Sequence, residues 1–470
     1  MNLLLMTDSY KAGHARSYPP GMTNMYAYAE ARGGPFPATV FFGEQYYRER
    51  YLAGAVIRPE DVDEAEAFWT AHFGRDDYFP AGAWRRLVAA HGGRLPLRIK
   101  AVPEGMLVPP HNVLMTVEST DSDFPWVVTF FETLLLKIWY PTTIATQSFF
   151  IRRRIKAQVE RSGGGVGGLD FMCHDFGYRG CSSEETAAIG AAAHLLSFQG
   201  TDTVAGIRLL QEFYGAEMAA HSIPATEHSV ICAFGRDGEA DAFAHQLATF
   251  PTGTIACVSD TYDVFNAVER LWGGALHGSV AGRDGRLVIR PDSGDPMEIV
   301  PWCLDALGRR FGVTTNAKGF RVLDDHVRVI QGDGMDFASI GDLYAKIVDL
   351  GWAAENLTVG SGGGLLQKVN RDTCGFAFKA SEVTVDGEVR PISKTPVTDL
   401  SKRSKDGRMK LVRRDDGYAT ILQTQEPDKY AAADDLLETT FENGASVRTE
   451  TLEGIRARVR EQEGMAFPTP

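Results

Sequence analysis

Three glycine-rich loops carry the residues best suited to chemistry. They lie in LVIRPDSGDP (Leu287–Pro296), VIQGDGMD (Val329–Asp336) and LTVGSGGGLLQK (Leu357–Lys368), and each follows an apolar run. Backbone N–H groups in such loops can point at an anion at close range. Aspartates can hold a metal or accept hydrogen bonds from sugar hydroxyls. This combination indicates a site for a phosphosugar with a metal ion.

The acidic groups of this site are Asp292 and Asp333, and its anion-binding turn is Ser361–Gly364. The turn is not a P-loop, because the pattern GxxxxGKS/T is absent, and the absence of GxGxxG leaves a Rossmann dinucleotide site unsupported. A structural role remains open for each loop taken alone.

Two further segments offer groups that could bind a ring. In HDFGYRG (His174–Gly180), Phe176 can stack on a planar ring, and Arg179 can donate to a carbonyl or a phosphate. The alternative is a structural strand end. In GTDT, Asp202 can accept from an amide or ammonium donor or cap the following segment.

PATEHS and VSDTYD offer a possible catalytic pair. His228 stands beside Glu227 and could act as a nucleophile or an acid/base, although most single histidines are structural. Asp260 follows an apolar run, where the catalytic residues of barrels lie, with a helix cap as the alternative. The basic segment Lys402–Arg414 is either a solvated hairpin or an anion clamp.

The elements that must position these groups alternate between strand and helix from residue 171 to about residue 379. The predicted strands are Val204–Ile207, Thr254–Val258, Leu287–Arg290, Val327–Ile330 and Leu357–Val359. The predicted helices are Ser183–Leu196, Ala240–Phe250, Val264–Leu271, Met297–Phe311, Phe337–Leu350 and Leu365–Val369. Alternation at this spacing predicts parallel βα units, whose strands end at one rim of an α/β barrel or sheet.

The flanking segments differ from this central part. Upstream, the sequence predicts short strands, two helices (Trp126–Ile138 and Ser148–Glu160) joined at Pro141, and a glycine-rich linker at Ser162–Gly168. Residues 380–470 are β-rich and polar. We therefore predict an irregular α/β barrel domain over 166–379. A second, β-rich α+β domain is predicted from 1–165 together with 380–470.

Composition excludes some classes of protein. The chain has 470 residues, 44% of them hydrophobic, and a net charge of −13, which argues against a non-specific nucleic-acid binder. The apolar stretch Phe124–Ala145 contains Glu132, Lys137 and Pro141, so we expect a buried helix and no membrane span. No signal peptide is apparent, and six cysteines without a CxxC pair are typical of reduced thiols in a cytoplasmic protein.

Taken together, these segments resemble the nicotinamide phosphoribosyltransferases, a family of type II phosphoribosyltransferases. The motifs occur in order along nearly the whole chain: TDSYKAGH, YPPG, FFGEQY, LPLRIKAVPEG, HDFGYRG, GTDTVAG, PATEHS, VSDTYD, IRPDSGDP, QGDG, SGGGLLQK and KRSKDGR. The resemblance implies transfer of a phosphoribosyl group from 5-phosphoribosyl-1-pyrophosphate to nicotinamide, giving nicotinamide mononucleotide and pyrophosphate. Compact loops are typical of a bacterial or phage version.

The resemblance also implies a nicotinamide site shared between two subunits of a homodimer. Phe176 would stack on the ring, and Tyr10 of the second subunit would cover its other face. Asp202 would accept from the carboxamide NH2, Arg179 would donate to its carbonyl, and Ser222 belongs to the same site. Because Asp202 would repel a carboxylate, we predict a preference for nicotinamide over nicotinate.

The remaining implied residues bind the phosphoribosyl group or carry the coupling to ATP. The phosphoribosyl and phosphate ligands would be Arg290, Asp292, Gly332, Asp333, Gly362, Gly363, Arg371, Lys379, Lys394 and Lys402. Of these, Arg371, Lys379 and Lys402 would reach the phosphates from the partner subunit. The implied catalytic residues are His228, Asp260, Asp292 and Glu227. ATP would phosphorylate His228, and Asp260 and Glu227 would support that histidine. ATP would be a co-substrate, and Mg2+ would bind mainly through the substrate pyrophosphate.

Two alternatives remain open. One is nicotinate phosphoribosyltransferase, which shares the architecture, and the other is a non-catalytic nucleotide-binding protein on the same scaffold. Asp202 argues against the first, and intact His228, Asp292, Asp333 and Lys402 argue against the second.

Overall fold

Two large β-sheets, one antiparallel and one parallel, organise the chain. The structure is a computed structural model that describes residues 1–398, 403–414 and 417–466. The strands are β1 (Met22–Glu30), β2 (Thr39–Val40), β3 (Leu97–Ala101), β4 (Leu107–Val108), β5 (Val113–Ser119), β6 (Cys173–Asp175), β7 (Gly200–Thr201), β8 (Thr252–Val258), β9 (Asp284–Arg290), β10 (Val313–Thr315), β11 (Arg321–Leu323), β12 (Val327–Gln331), β13 (Leu357–Ser361), β14 (Ala377–Val385), β15 (Glu388–Pro391), β16 (Met409–Arg414), β17 (Gly417–Leu422), β18 (Glu438–Glu442) and β19 (Ala445–Ser446).

The α-helices cover both sheets. They are α1 (Glu44–Tyr47), α2 (Pro59–Phe73), α3 (Ala81–His91), α4 (Val127–Phe130), α5 (Glu132–Leu135), α6 (Trp139–Ser162), α7 (Glu184–His194), α8 (Val204–Tyr214), α9 (His228–Cys232), α10 (Glu239–Thr249), α11 (Val264–Asn266), α12 (His277–Ala281), α13 (Pro296–Phe311), α14 (Phe337–Asp349), α15 (Gly363–Leu366), α16 (Pro427–Ala432) and α17 (Leu452–Glu461). Shorter 3-10 turns join them, including Ser9–Arg16 near the amino terminus. Among the residues that the structure describes, no helix is long and apolar enough to cross a membrane.

The parallel sheet has the strand order β7-β6-β13-β12-β9-β8. The segment 221–226 closes it into a barrel, because parallel bridges join Gly200 of β7 to His221 and Ala225 to Ala256 of β8. This closing segment is irregular, since within the described residues it joins the sheet through two isolated bridges instead of a continuous ladder. The prediction of an irregular α/β barrel is therefore confirmed.

The interior of this barrel is lined by alternate residues of its strands. Every second residue of three strands faces inward: Thr254 and Ala256 of β8, Arg286, Val288 and Arg290 of β9, and Arg328 and Ile330 of β12. The residues between them, such as Cys257, Leu287 and Val329, are fully buried on the outer face, where they form part of the main apolar core. A cavity is therefore left inside the barrel.

The antiparallel sheet is made by both ends of the chain. Its strand order is β15-β14-β1-β5-β3-β18-β19. The interior strand β1 pairs with β5 on one side and with β14 on the other, from Met22 opposite Val385 to Glu30 opposite Ala377, more than 340 residues apart in sequence. The predicted domain limits at residues 165 and 380 stay a prediction.

Two predicted elements were wrong. The segment Val204–Ile207 belongs to helix α8, and the strand lies earlier, at Gly200–Thr201. The β-branched residues of this stretch favoured a strand, but Gly206 lets α8 pack closely on α7, since a Cβ there would lie 2.5 Å from that of Ala191. Tertiary packing thus overrides local propensity.

The second error concerns Pro141. It joins no pair of helices, because α6 runs unbroken from Trp139 to Ser162 and Pro141 lies in its first turn. The first-turn N–H groups of a helix have no intrahelical partner, so a proline there removes no hydrogen bond of the helix.

A buried acidic side chain holds the start of helix α1. Glu104 is 3% exposed, and its Oε1 accepts from the N–H groups of Gly43 and Gln45, both at 2.9 Å. Its Oε2 has no hydrogen-bond partner among the described residues. Burial, with smaller contributions from the charges of Glu44 and Glu450, raises the pKa of Glu104 to about 8.

This shift predicts a pH-dependent stability. Folded Glu104 keeps its proton up to about pH 8, whereas an unfolded glutamate releases it near 4.5, so the unfolded state binds fewer protons in between and stability falls as pH rises. We expect Glu104→Gln to remove this loss. Relative to the wild type, its free energy of unfolding should rise by a few kcal/mol, on the order of magnitude that the shift implies, between pH 5.5 and pH 8.5, and its melting temperature should rise accordingly. Glu60→Gln, at an exposed site of α2, serves as the control, and parallel pH profiles for all three proteins would contradict the prediction.

Candidate active site

A cavity of about 1000 Å³ occupies the barrel interior and reaches the rim where the parallel strands end. Most of the predicted ligand-binding residues line it: Phe176, Arg179, Asp202, Ser222, Arg290, Asp292, Gly332, Asp333, Gly362 and Gly363. They come from the ends of five strands and from the closing segment. The barrel thus brings together residues that are far apart in sequence.

Phe176 forms one wall of the cavity. Its ring packs on a small apolar cluster of Ala256, Val288 and Ile330, separate from the main core, and its N–H donates to the carbonyl of Ser361 at 2.9 Å. Gly360 lies directly beneath the ring, because a Cβ at Gly360 would lie 1.9 Å from Cε2 of Phe176. A planar ligand could stack on the exposed face of the ring.

Asp202 extends into the same part of the cavity. Its Oδ1 accepts from Ser222 Oγ at 2.5 Å and contacts His174 Nε2 at 3.1 Å. Burial alone would raise the pKa of Asp202, but the hydrogen bond from His174 and its charge, the Ser222 hydroxyl and the charge of Arg290 together lower the pKa below its ordinary value. The carboxylate is therefore an acceptor held ready for a ligand donor.

Sequence reasoning gave no role to His174 or to its neighbour Asp175. Asp175 is fully buried, and its carboxylate accepts from the N–H of Gly177 at 2.7 Å and from the hydroxyl of Thr201 at 2.8 Å. The carbonyl of Asp175 accepts from the N–H of Asp202 at 2.9 Å. These bonds hold the ends of β6 and β7 together. The only sequence signal was their place at the start of HDFGYRG.

A second group of side chains surrounds His228, the first residue of α9. His228 Nε2 lies 3.1 Å from Oδ1 of Asp260, whose side chain is 4% exposed. The other oxygen of Asp260 accepts from the N–H of Asp292 at 3.0 Å and from the hydroxyl of Ser293. A carboxylate only accepts, so in the neutral imidazole the nitrogen that faces it carries the proton, and Nδ1 then has the lone pair.

This arrangement connects the histidine to the cavity. Nδ1 of His228 lies 4.0 Å from Oδ2 of Asp292, which lines the cavity. Glu227, predicted to support the histidine, is exposed and accepts from the hydroxyl of Ser229. The role of Glu227 stays a prediction.

The phosphate-binding end combines positive charge with free N–H groups. Arg290 donates to Asp292 at 3.2 Å, and its buried Nε–H has no partner among the described residues. Gly362 and Gly363 open the short helix α15, and N–H groups in a first helical turn have no intrahelical partner. Several donors therefore point away from the protein's own acceptors, as an anion requires.

The carboxylates of Asp292 and Asp333 suit a magnesium ion that is shared with phosphate oxygens. In the described parts of the chain, no group of three or more His, Cys, Asp or Glu side chains is arranged to hold a metal ion by itself. The residues present fit a metal that enters with an anionic ligand.

Other predicted residues lie away from this cavity. Tyr10 is 56% exposed in the turn Ser9–Arg16, Arg371 pairs with the adjacent Asp372 at 3.0 Å, and Lys379 lies on β14. Burial lowers the pKa of Lys379. The negative charge of Glu132 opposes this shift, and the positive charges of Arg32, Lys394 and Lys11 add to it. Lys402 lies outside the described residues.

Comparison with known proteins identifies the class. A model of the nicotinate phosphoribosyltransferase family matches residues 171–445, and a model of the nicotinamide phosphoribosyltransferase N-terminal domain matches residues 2–99. The structures of a nicotinate-nucleotide pyrophosphorylase from Pyrococcus furiosus and of human nicotinic acid phosphoribosyltransferase superpose with TM-scores of 0.59 and 0.55. The two superpositions cover 98% and 99% of this chain and 95% and 94% of the two known structures, respectively. Because the sequence identities are 18% and 17%, these structures support the fold alone. The fold is that of the pyridine phosphoribosyltransferases.

Curated relatives narrow the class to one family. Proteins named nicotinamide phosphoribosyltransferase from Xanthomonas campestris pv. campestris and Acinetobacter baylyi are 46% and 32% identical to this chain. The alignments cover 97% of both chains in the first case and 98% in the second. The chain belongs to the nicotinamide phosphoribosyltransferase family of enzymes, and the resemblance seen in the sequence is confirmed.

The contact between Phe176 and Gly360 gives a structural prediction. Gly360→Ala must displace the Phe176 ring, because a Cβ has no room beneath it. We expect a crystal structure of the variant to show the ring turned into the cavity. Gly278→Ala is the control, because nothing lies within 4 Å of a Cβ at that site on α12; an unmoved Phe176 ring in Gly360→Ala would contradict the prediction.

Proposed function

We propose that this enzyme transfers the 5-phosphoribosyl group from 5-phosphoribosyl-1-pyrophosphate to nicotinamide, giving nicotinamide mononucleotide and pyrophosphate, a step of NAD salvage. The observation that carries the proposal is the carboxylate of Asp202. It is held as an acceptor beside Phe176, in one cavity with the acidic and glycine-rich loops. The two curated relatives bear the name of this activity.

The ring end of the cavity suits an aromatic amide. Phe176 offers a face for stacking, Asp202 accepts from the carboxamide NH2, and Arg179 donates to its carbonyl oxygen. Nicotinate would place a carboxylate against Asp202, and this like-charge contact in a partly desolvated site disfavours it. The alternative, nicotinate phosphoribosyltransferase, is disfavoured for this reason.

The rim end suits the phosphorylated sugar. Asp292 and Asp333 accept from the ribose hydroxyls, and Gly362 with Gly363 binds the 5-phosphate through backbone N–H groups. Positive charge develops on the sugar as pyrophosphate leaves, and the carboxylates face that charge. The pyridine nitrogen then attacks C1 from a fixed position, so that orientation supplies much of the rate. Magnesium, when bound with pyrophosphate, neutralises the leaving group.

We also propose a role for ATP. Nδ1 of His228 keeps a lone pair because Asp260 orients the other nitrogen, which suits a nucleophile that accepts a phosphoryl group. The distance of 4.0 Å between Nδ1 of His228 and Oδ2 of Asp292 supports a phosphorylation step beside the sugar site. ATP hydrolysis would thereby be coupled to substrate capture.

The enzyme is proposed to act as a homodimer. Tyr10, Arg371, Lys379 and Lys394 belong to the described chain but do not line its own cavity, and the cationic residues Lys11, Arg32 and Lys394 lie close enough to Lys379 to lower its pKa. Such a cluster suits the phosphates of a substrate bound by a second subunit. With Lys402, these residues would complete the partner's site.

One assay tests the whole proposal. The purified enzyme is given 5-phosphoribosyl-1-pyrophosphate and magnesium with nicotinamide or nicotinate, with and without labelled ATP. We expect nicotinamide mononucleotide from the amide, stimulation by ATP, and label on the wild type but not on His228→Asn. Turnover of nicotinate alone would overturn the substrate, and no turnover of either would favour the non-catalytic alternative.

Asp202 gives a prediction on specificity. Asp202→Asn removes the repelling charge, so the preference for nicotinamide over nicotinate in kcat/KM should fall by about 10- to 100-fold, the equivalent of about 1.4–3 kcal/mol. Asp325→Asn is the matched control, because Asp325 also lines the cavity but pairs with Arg286 and Arg328 before β12 begins. An unchanged preference in Asp202→Asn would refute the assignment of Asp202.

The shared site gives a prediction on subunit mixing. Lys379→Ala and Asp292→Asn should each abolish most activity, since both remove contacts to the charged substrate. If Lys379 acts on the partner's cavity, a mixed dimer of the two variants has one intact site, and co-expression should restore roughly a quarter of the wild-type activity. No recovery in dimers shown to be mixed would place Lys379 at its own subunit's site.

A further inference from the structure

The feature that carries a further inference is the way in which Asp202 is held. Both of its protein partners, His174 Nε2 at 3.1 Å and Ser222 Oγ at 2.5 Å, contact the same oxygen, Oδ1. A carboxylate accepts at both oxygens. With the two donors on Oδ1, Oδ2 is left to a ligand. The Asp202 side chain is 48% exposed, so without such partners it would be free to rotate and to bind water.

His174 is itself fixed in one position. It lies in the middle of β6, opposite Gly360 of β13 and Gly200 of β7. A Cβ at Gly200 would lie 2.6 Å from Nδ1 of His174, so the imidazole fills the space that this glycine leaves. The other side of the imidazole faces Phe176, with the ring centroids 5.0 Å apart. The His174 side chain is 12% exposed, which confirms this confinement.

The direction of the hydrogen bond follows from this geometry. Asp202 is an acceptor with a lowered pKa, so Nε2 of His174 must carry the proton that lies between them. The imidazole thus acts as a rigid donor on a buried strand, whereas Ser222 is an exposed donor on the irregular closing segment. Of the two partners, His174 is the one whose position the barrel determines.

We propose that His174 is a positioning residue that sets the orientation of the Asp202 carboxylate, and that the selection of nicotinamide over nicotinate depends on it. This inference rests on the proposed function. His174 touches no reacting atom; it acts through Asp202, keeping Oδ2 directed at the carboxamide NH2. Loss of the donor should weaken ground-state binding of the amide, because the freed carboxylate turns toward water or toward Ser222 alone.

The test compares two side chains of nearly equal length. His174→Gln keeps an N–H donor at about the reach of Nε2, and His174→Met does not. For His174→Met we expect KM for nicotinamide to rise about 10- to 100-fold with kcat within a few-fold of the wild type, as for loss of a hydrogen bond to a charged group. The preference over nicotinate should fall in parallel. His174→Gln should restore both to within about threefold.

The outcomes separate this inference from the function on which it rests. The positioning role alone would be overturned if the wild type turns over nicotinamide and His174→Met leaves KM and the preference over nicotinate unchanged. It would also be overturned if His174→Met and His174→Gln lost affinity and preference equally. No wild-type turnover of nicotinamide would overturn the proposed function and this role together. If His174→Met does not fold, His174→Asn replaces it, because its amide is one methylene too short to reach Asp202; equal constants for His174→Asn and His174→Gln would overturn the proposal.

Discussion

The site depends on a barrel that closes around a cavity. Small β-barrels are normally filled by their own inward side chains. Here the middle inward positions of three neighbouring strands, Ala256, Val288 and Ile330, pack against one another and against Phe176, and a cavity of about 1000 Å³ remains in the interior. Among the described residues, the segment 221–226 closes the sheet by two isolated bridges. A regular strand in its place would hold its side chains in strict alternation, whereas the irregular one lets Ser222 turn to Asp202.

Two buried aspartates hold the ligand-binding residues in place at the rim of this barrel. Asp175 ties the ends of β6 and β7 and holds the backbone of Asp202. Asp260 does the same on the opposite side of the rim, where it holds the backbone of Asp292 and orients His228. The oxygens of Asp175 and Asp260 accept from protein donors, so that the less buried partner, Asp202 or Asp292, keeps acceptors for a ligand. Rigid supports beneath ligand-binding groups are what accurate positioning requires.

The sequence allowed prediction of residues whose role is local. Asp292, Asp333 and Gly363 each follow an apolar run directly, and a strand that ends in a loop puts them at the rim whatever the rest of the chain does. The resemblance supplied Tyr10 and the ring-binding residues in the same way, from short motifs. What stayed out of reach was decided by contacts between distant segments.

Three residues illustrate that limit. His174 is predicted from sequence only as part of a strand end, and its confinement is shown by Gly200 on the neighbouring strand together with the ring of Phe176. Gly206 weakened the helical pattern of α8, although its lack of a side chain is what lets α8 pack on α7. Lys379 does not line its own cavity, and only the resemblance, not a pattern of residue types along the chain, assigns it to the partner's site.

The antiparallel sheet has a consequence for how the chain is made. Its interior strand β1 leaves the ribosome early, yet β14, one of the two neighbours of β1, follows more than 340 residues later. Every strand of the barrel precedes β14, so the barrel can close while β1 still lacks that neighbour. An unpaired strand edge is prone to association with other chains, and contacts this distant in sequence form slowly. During synthesis there is therefore an interval in which β1 must not pair with a strand of another chain.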